Sequence, residues 1–176
     1  MSNIIYSVQQ DNLTTDMGIT PIFPNTIEDA SKVFDGTAVV AGQCLALSTN
    51  AAGDTILVLG GSDSAVYGLA KETVNANINI NEVSDNGFGI FGSGKITACV
   101  FGVYEVKNYE YAKANGTVEP LVAVDFTTLA TATPGSAVGA ADGGLITIVN
   151  AGDTNAFGKL IAVADEGNTV QVSVGF

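Results

Sequence analysis

The chain has 176 residues, 47 % of them hydrophobic and only 14 % charged, with 18 acidic residues against six basic ones and a formal charge of -12. All six basic residues are lysine and histidine is absent, which disfavours phosphate backbones and anionic membrane surfaces as partners and removes the commonest catalytic base and metal ligand. The length fits one domain, or one domain with an arm, and is enough to bury a core.

The opening MSNIIYSVQQDNL carries no basic stretch before a long apolar run, so no secretory leader is expected and the protein is expected to be made in the cytoplasm. Apolar runs throughout are short and broken, far from the roughly 20 residues of a spanning helix. Residues 1–35 read as an extended arm that crosses a surface, either that of its own β-domain or a neighbour's, because Pro21 and Pro24 bracket TPIFPNT and fix extended backbone there. Within it, TIEDASKVF at 26–34 predicts a short helix, with Thr26 as N-cap and Glu28 and Asp29 in the first turn.

From Gly36 to the end, short apolar runs alternate with turn residues. TAVVAG, QCLALST, DTILVLG, AVYGLAKE, VNANINI, GKITACVFGVYEV, EPLVAVDF, GLITIVN, FGKLIAVA and NTVQVSV are separated by Asn-Gly, Gly-Asp and Gly-Gly steps. That spacing predicts an all-β domain over 36–176, an antiparallel barrel or sandwich. VNANINI and NTVQVSV alternate strictly and are expected to show one face to a core; ILVL and ITACVF are more continuous and are expected to be central. Cys44 and Cys99 each lie in an apolar run without zinc-like spacing, so both read as small buried hydrophobes, with a disulfide as the alternative.

TILVLGGSDSAVYGLA at 55–70 and TIVNAGDTNAFGKLIAVA at 147–164 share an outline of strand, Gly/Asp/Ser-or-Thr turn, glycine and strand. They read as two copies of one hairpin solution, with duplication as the alternative, and Gly68 and Gly158 are expected to mark bulges or close backbone approach. LATATPGSAVGAADGG at 129–144 reads as a loop of small residues lying on the surface.

The stretch GFGIFGSGKIT at 87–97 overlays G-x-G-x-x-G on G-x-x-x-x-G-K. A phosphate loop needs a helix N-terminus after it. Here ITACVFGVYEV follows, and Ile96 stands where a magnesium-binding hydroxyl would be, so the stretch reads as a glycine-rich turn and no nucleotide cofactor is expected. Asp63, Asp85, Asp125, Asp142, Asp153 and Asp165 sit beside turn residues, where their side chains bond nearby backbone, and none of DNG, ADGG or AGDTN matches a calcium loop. With no histidine base, and with Lys71, Lys95, Lys107, Lys113 and Lys159 next to turns or charged neighbours, no catalytic residue, cofactor or metal site is expected. Tyr104, Tyr109 and Tyr111, with alternating charges between them, form the candidate contact surface for a protein or a sugar, against the plainer reading that Tyr104 packs in a sheet and the other two lie at its rim.

The phrase TAVVAGQCLALSTNAAGDTILVLGGSDSAVYGLAKETV, in a small Ala/Gly/Thr/Val-rich β-domain behind an extended arm, resembles the small structural proteins of tailed bacteriophages, capsid decoration or cement proteins in particular. The resemblance covers roughly residues 36–75 and is one of style and order. It implies a β-barrel or β-tulip-like domain on the outer capsid shell, often trimeric, bound to the major capsid protein and to neighbouring copies of itself, with no nucleic acid or membrane partner and no enzymatic activity. The arm would lie along the capsid or a neighbour by strand addition, with Ile4, Ile5, Tyr6, Ile19, Ile22 and Phe23 as anchors. A tail-tube or head–tail connector subunit is the alternative within that class, and a carbohydrate-binding or adhesin module the alternative outside it.

Overall fold

The computed structural model describes residues 18–22, 26–35, 38–73, 95–112, 118–164 and 169–175, with the backbone alone at 109–112, 118, 119 and 164. Over these residues the protein is all-β. In chain order come β1 (Ile19–Pro21), β2 (Ile27–Asp29), β3 (Val33–Phe34), β4 (Cys44–Thr49), β5 (Thr55–Leu59), β6 (Val66–Ala70), β7 (Ala98–Lys107), β8 (Tyr109–Ala112) and β9 (Val118–Leu121). The one-turn helix α1 (Phe126–Leu129), β10 (Ala137–Ala140), a 3-10 turn at Asp142–Gly144, β11 (Ile146–Ile148), β12 (Ala156–Ala164) and β13 (Thr169–Val174) follow. Eleven strands form one sheet in the order β11-β10-β12-β13-β7-β6-β4-β5-β3, with β1 and β2 also paired to β7, while β8 and β9 form a separate hairpin. The sheet is mixed, since β3 runs parallel to β5. It does not close into a barrel, and of the two expected architectures the sandwich-like one is present.

Two local expectations are corrected. Residues 26–34 hold β2 and β3 and no helix; nine residues are too few to carry a helix without tertiary support, and Ile27, Val33 and Phe34 favour the pleated partner strands that β7 and β5 offer. Residues 129–144 are not a loop throughout, because β10 lies between β11 and β12 in the sheet. Its small residues serve packing: a Cβ on Gly139 would lie 2.6 Å from the Asn155 carbonyl oxygen.

The ten-residue β7 is the backbone of the fold. Cys99 pairs with Leu69 of β6 and also with Glu28 of β2, and Tyr104 pairs with Val172 of β13 and also with Pro21 of β1. Both edges of β7 are therefore occupied in each half. β1 and β2, both within the expected arm, run antiparallel along it, and the Ile22 amide continues the ladder by donating to Val103 at 2.9 Å.

The likeness between 55–70 and 147–164 belongs to a larger repeat. In the first unit β3 lies parallel to β5, which pairs with β4, which pairs with β6, which pairs with β7. In the second, Val124 bridges in parallel to β11, which pairs with β10, then β12, then β13. The final strands, β7 and β13, pair with each other antiparallel and join the units. The hydrogen bonds repeat one for one. Gly42 donates to Ala70 at 2.7 Å as Gly135 does to Leu160 at 2.7 Å, Ala70 donates back to Gln43 as Leu160 does to Ser136, and Asp35 donates to Leu57 as Asp125 does to Ile146. Gly42 and Gly135 share the left-handed conformation, φ 94° and 92°.

The expected role of Gly68 and Gly158 holds at equivalent places in this repeat. A Cβ on Gly68 would meet the Cys99 carbonyl oxygen at 2.7 Å, and one on Gly158 the Ser173 carbonyl oxygen at 1.7 Å. Each lies beside a register shift, Gly68 against β4 and Gly158 against β10.

The larger core draws Cys44, Leu69 and Cys99 from the first unit and Val138, Leu160 and Val172 from the second, so the two units enclose it. The smaller one covers the opposite face of the first unit, where Phe34, Val39 and Ile96 pack on Leu45, Leu57 and Ala98. In β13, Val170, Val172 and Val174 are buried, as its strict alternation predicts; VNANINI lies outside the described residues.

Candidate functional site

The sequence-predicted contact residues separate into three groups. Ile4, Ile5, Tyr6 and Phe23 lie outside the described residues. Ile19 and Tyr104 are in the core, at 5 % and 0 % exposure; the Tyr104 hydroxyl donates to the Phe101 carbonyl at 3.0 Å and burial pushes its pKa up. Ile22 is half-buried beside β7. Tyr109 and Tyr111 stand on β8 opposite Leu121 and Glu119, and their side chains lie outside the described residues. The structure thus brings Ile19, Ile22 and Tyr104 together along β7, as packing of β1 and Ile22 onto the sheet.

The thiols are not a reactive pair. Cys44 and Cys99 sit on either side of Leu69 across β6, two strand spacings or roughly 9.5 Å apart, beyond the span of a disulfide. Both are free and buried, and desolvation pushes the Cys99 thiol up to about 12 and that of Cys44 higher still, so neither is an available thiolate. Lys95, which ended the phosphate-loop pattern, is followed by Ile96 and the strand β7, and no helix begins there.

Two polar constellations remain on the described surface. In the first, the Asp29 carboxylate accepts from Lys32 at 2.7 Å and from the Tyr67 hydroxyl, while the Lys32 ammonium lies 5.0 Å from the Tyr67 ring centre. These partners, Lys32 first, hold the Asp29 carboxyl well below the usual range, and Asp29 raises the pKa of both partners. With the Lys71–Glu28 pair at 2.7 Å, the cluster clips β2 to β6. Its chemistry is that of a solvent-screened surface staple.

The second is an open cleft of about 500 Å³ lined by Ser62, Asp63, Gly152, Asp153, Thr154 and Asn155. Its walls are the equivalent turns of the two units: Ser64 donates to Gly61 as Asp153 does to Asn150, each at 3.0 Å. The polar groups are largely engaged in holding those turns. Asp153 accepts from the Asn150 amide at 2.9 Å, Ser62 donates to Asp142 at 2.8 Å, and Asn155 donates to the Ala140 carbonyl at 2.6 Å. No aromatic side chain lines the cleft, and among the described residues no group of three or more His, Cys, Asp or Glu side chains is placed to hold a metal ion.

The feature that sequence reasoning missed is the difference between the two equivalent hairpins. Ten residues, 47–56, separate Ala46 from Leu57, whereas six, 140–145, separate Gly139 from Ile146. Both hairpins end in the same closed turn: Asn50 donates to Asp54 and Gly53 to Asn50, as Ala141 donates to Leu145 and Gly144 to Ala141. The β4–β5 hairpin is longer by two rungs, Ser48 opposite Ile56 and Thr49 opposite Thr55. It projects, leaving Leu47 46 % exposed where the equivalent Ala140 is fully buried. The signal was present in the two outlines, but the repeat boundaries had to be known before their loop lengths were comparable.

This is an all-β protein in which one strand arrangement occurs twice, as five strands in the first unit and as four strands with a bridge at Val124 in the second. Comparison with known proteins adds no closer identity: no family model, no curated protein and no solved structure matches the chain. No helix among the described residues is long and apolar enough to cross a membrane.

Proposed function

We propose that the chain is a non-enzymatic structural subunit of a protein shell, most closely a decoration protein that binds the outer surface of a tailed-phage capsid and ties neighbouring capsomers together. One observation carries the reading. A chain of charge -12 presents β surface almost without charge: residues 37–62 contain only Asp54, and residues 126–141 contain no charged residue. Charge depletion of this kind is a mark of surfaces that other protein covers, and a shell multiplies weak contacts over many equivalent sites. The second reading in the same class, a tail-tube subunit, draws support from the lengthened β4–β5 hairpin. A glycan-binding module is less favoured, since Tyr104 is buried and the open cleft lacks an aromatic platform.

Size-exclusion chromatography with light scattering tests the proposal. A stable trimer supports the decoration protein, rings of six or fibres support the tail tube, and a monomer that binds immobilised glycans overturns both.

A further inference from the structure

Within this one chain, the hairpin turn of the second unit is already seated on the base of the first. The Gln43 amide donates to the Gly143 carbonyl at 2.9 Å, the Ser62 hydroxyl donates to Asp142 at 2.8 Å, and Gly144 packs against Leu59 and the Cys44 carbonyl so closely that a Cβ there would lie 2.8 Å from the Leu59 methyl. The repeat names the counterparts of each partner. On the turn, Ala51, Ala52 and Gly53 stand for Asp142, Gly143 and Gly144; on the base, Ser136, Ala137, Ile148 and Ala151 stand for Gln43, Cys44, Leu59 and Ser62.

The counterpart turn is unseated. Ala51 and Ala52 are exposed, and no atom lies within 4 Å of the Cβ position of Gly53, although Gly53 keeps the left-handed backbone of its seated equivalent, φ 90° against 74°. The counterpart base is also accessible, with Ala151 exposed and Ser136, Ala137 and Ile148 half-buried. The two extra rungs carry the turn about 7 Å further out.

We infer that the β4–β5 hairpin turn of one copy of this chain docks on the base of the second unit of another copy, repeating between molecules the contact that joins the units within one. The chemistry of the pair has changed in step on both sides. The polar pair Ser62–Asp142 becomes the apolar pair Ala151–Ala51, and a hydroxyl on Ser136 replaces the Gln43 amide as donor to the carbonyl of the turn, now that of Ala52. A second copy is the occupant because the turn and its seat are halves of one contact that this sequence carries twice, and because between molecules of charge -12 the favourable meeting place is one without charge: Ala51, Ala52, Gly53, Ser136, Ala137, Ile148 and Ala151 have none. Such a contact joins two different patches, so it closes as a reciprocal dimer or a larger ring, or runs on as a fibre.

The inference rests on the structural-subunit reading and fails separately from it. Light scattering and sedimentation of the full chain are compared with those of Ala51→Asp and the double variant Ala51→Asp/Ala151→Ser, all three checked for an unchanged melting transition. The expectation is that the wild-type chain associates, that Ala51→Asp weakens association at least tenfold by burying an unpaired carboxylate, and that adding Ala151→Ser restores it by recreating the Ser62–Asp142 pair. An oligomer indifferent to Ala51→Asp, or a loss that Ala151→Ser does not repair, overturns the docking and leaves the structural reading standing. A wild-type chain that stays monomeric up to millimolar concentration overturns the docking, and overturns the structural reading as well if it also binds glycans.

Discussion

Two kinds of constraint meet at single residues here, close backbone approach and a desolvated charge. Gly158 lies where any side chain would run into the Ser173 carbonyl, and Gly68 is the milder case against Cys99. Gly53 is strained only through its backbone, since its surroundings are open. Alanine at these positions is expected to cost in the order Gly158, Gly68, Gly53, from about 3 kcal/mol or more down to about 1 kcal/mol, readable as denaturation midpoints. Glu72 shows the second constraint. It is 5 % exposed and its carboxylate accepts from the Thr97 amide at 2.9 Å, yet desolvation raises its pKa above the usual carboxylate value. A carboxyl whose folded pKa is raised contributes most to stability below its unfolded pKa, and that contribution is lost as pH rises through the folded value. Glu72→Gln, which keeps the acceptor, is therefore expected to melt higher than wild type at pH 7 and to match it below about pH 4. A variant less stable than wild type at pH 7 contradicts this account.

Among the elements, β1, β2 and β3 decide which surface the N-terminal segment uses. The prolines and polar residues of 1–35 read as an arm crossing its own β-domain or a neighbour's, and β1 and β2 occupy an edge of β7 while Ile19 and Phe34 fill the two cores. Deleting residues 1–35 removes those partners together, and the shortened chain is expected to be insoluble or to lack a cooperative melting transition. Ile19→Ala alone is expected to cost about 2–4 kcal/mol. A folded, cooperative 36–176 fragment would restore a separable arm. The β4–β5 hairpin behaves in the opposite way. Removing Ser48, Thr49, Thr55 and Ile56 shortens it by two rungs to the length of its equivalent and keeps every remaining side chain on its own face, because strand alternation has period two. That variant is expected to keep its melting temperature within a few degrees and to lose self-association. Strand existence was legible at β4, β5, β6, β7, β12 and β13, where apolar runs end at Gly or Asp turns. β10 was not, because AVGA has the composition of a loop and becomes a strand only between two neighbours that need small residues.

At the level of the whole molecule, the duplicated unit explains both the regularity and its breaks. The same glycines, turns and backbone bonds recur, and the chain departs from the repeat where one hairpin turns inward and the other projects. On the proposed reading, an assembly subunit would use that asymmetry, one copy of the contact holding the molecule together and the other meeting a neighbour. The sequence by itself determined the all-β class, the positions of most strands, the buried and inert character of Cys44 and Cys99, and the roles of Gly68 and Gly158, because alternation, turn chemistry and glycine conformation are properties of a few adjacent residues. Only the tertiary structure decided that β1 and β2 pair with β7 of the same chain, which of the two readings of Tyr104 holds, and that the two outlines are halves of a repeat with hairpins of unequal length. Those facts depend on which strand lies beside which, and pairing between residues far apart in the chain leaves no mark on either partner alone.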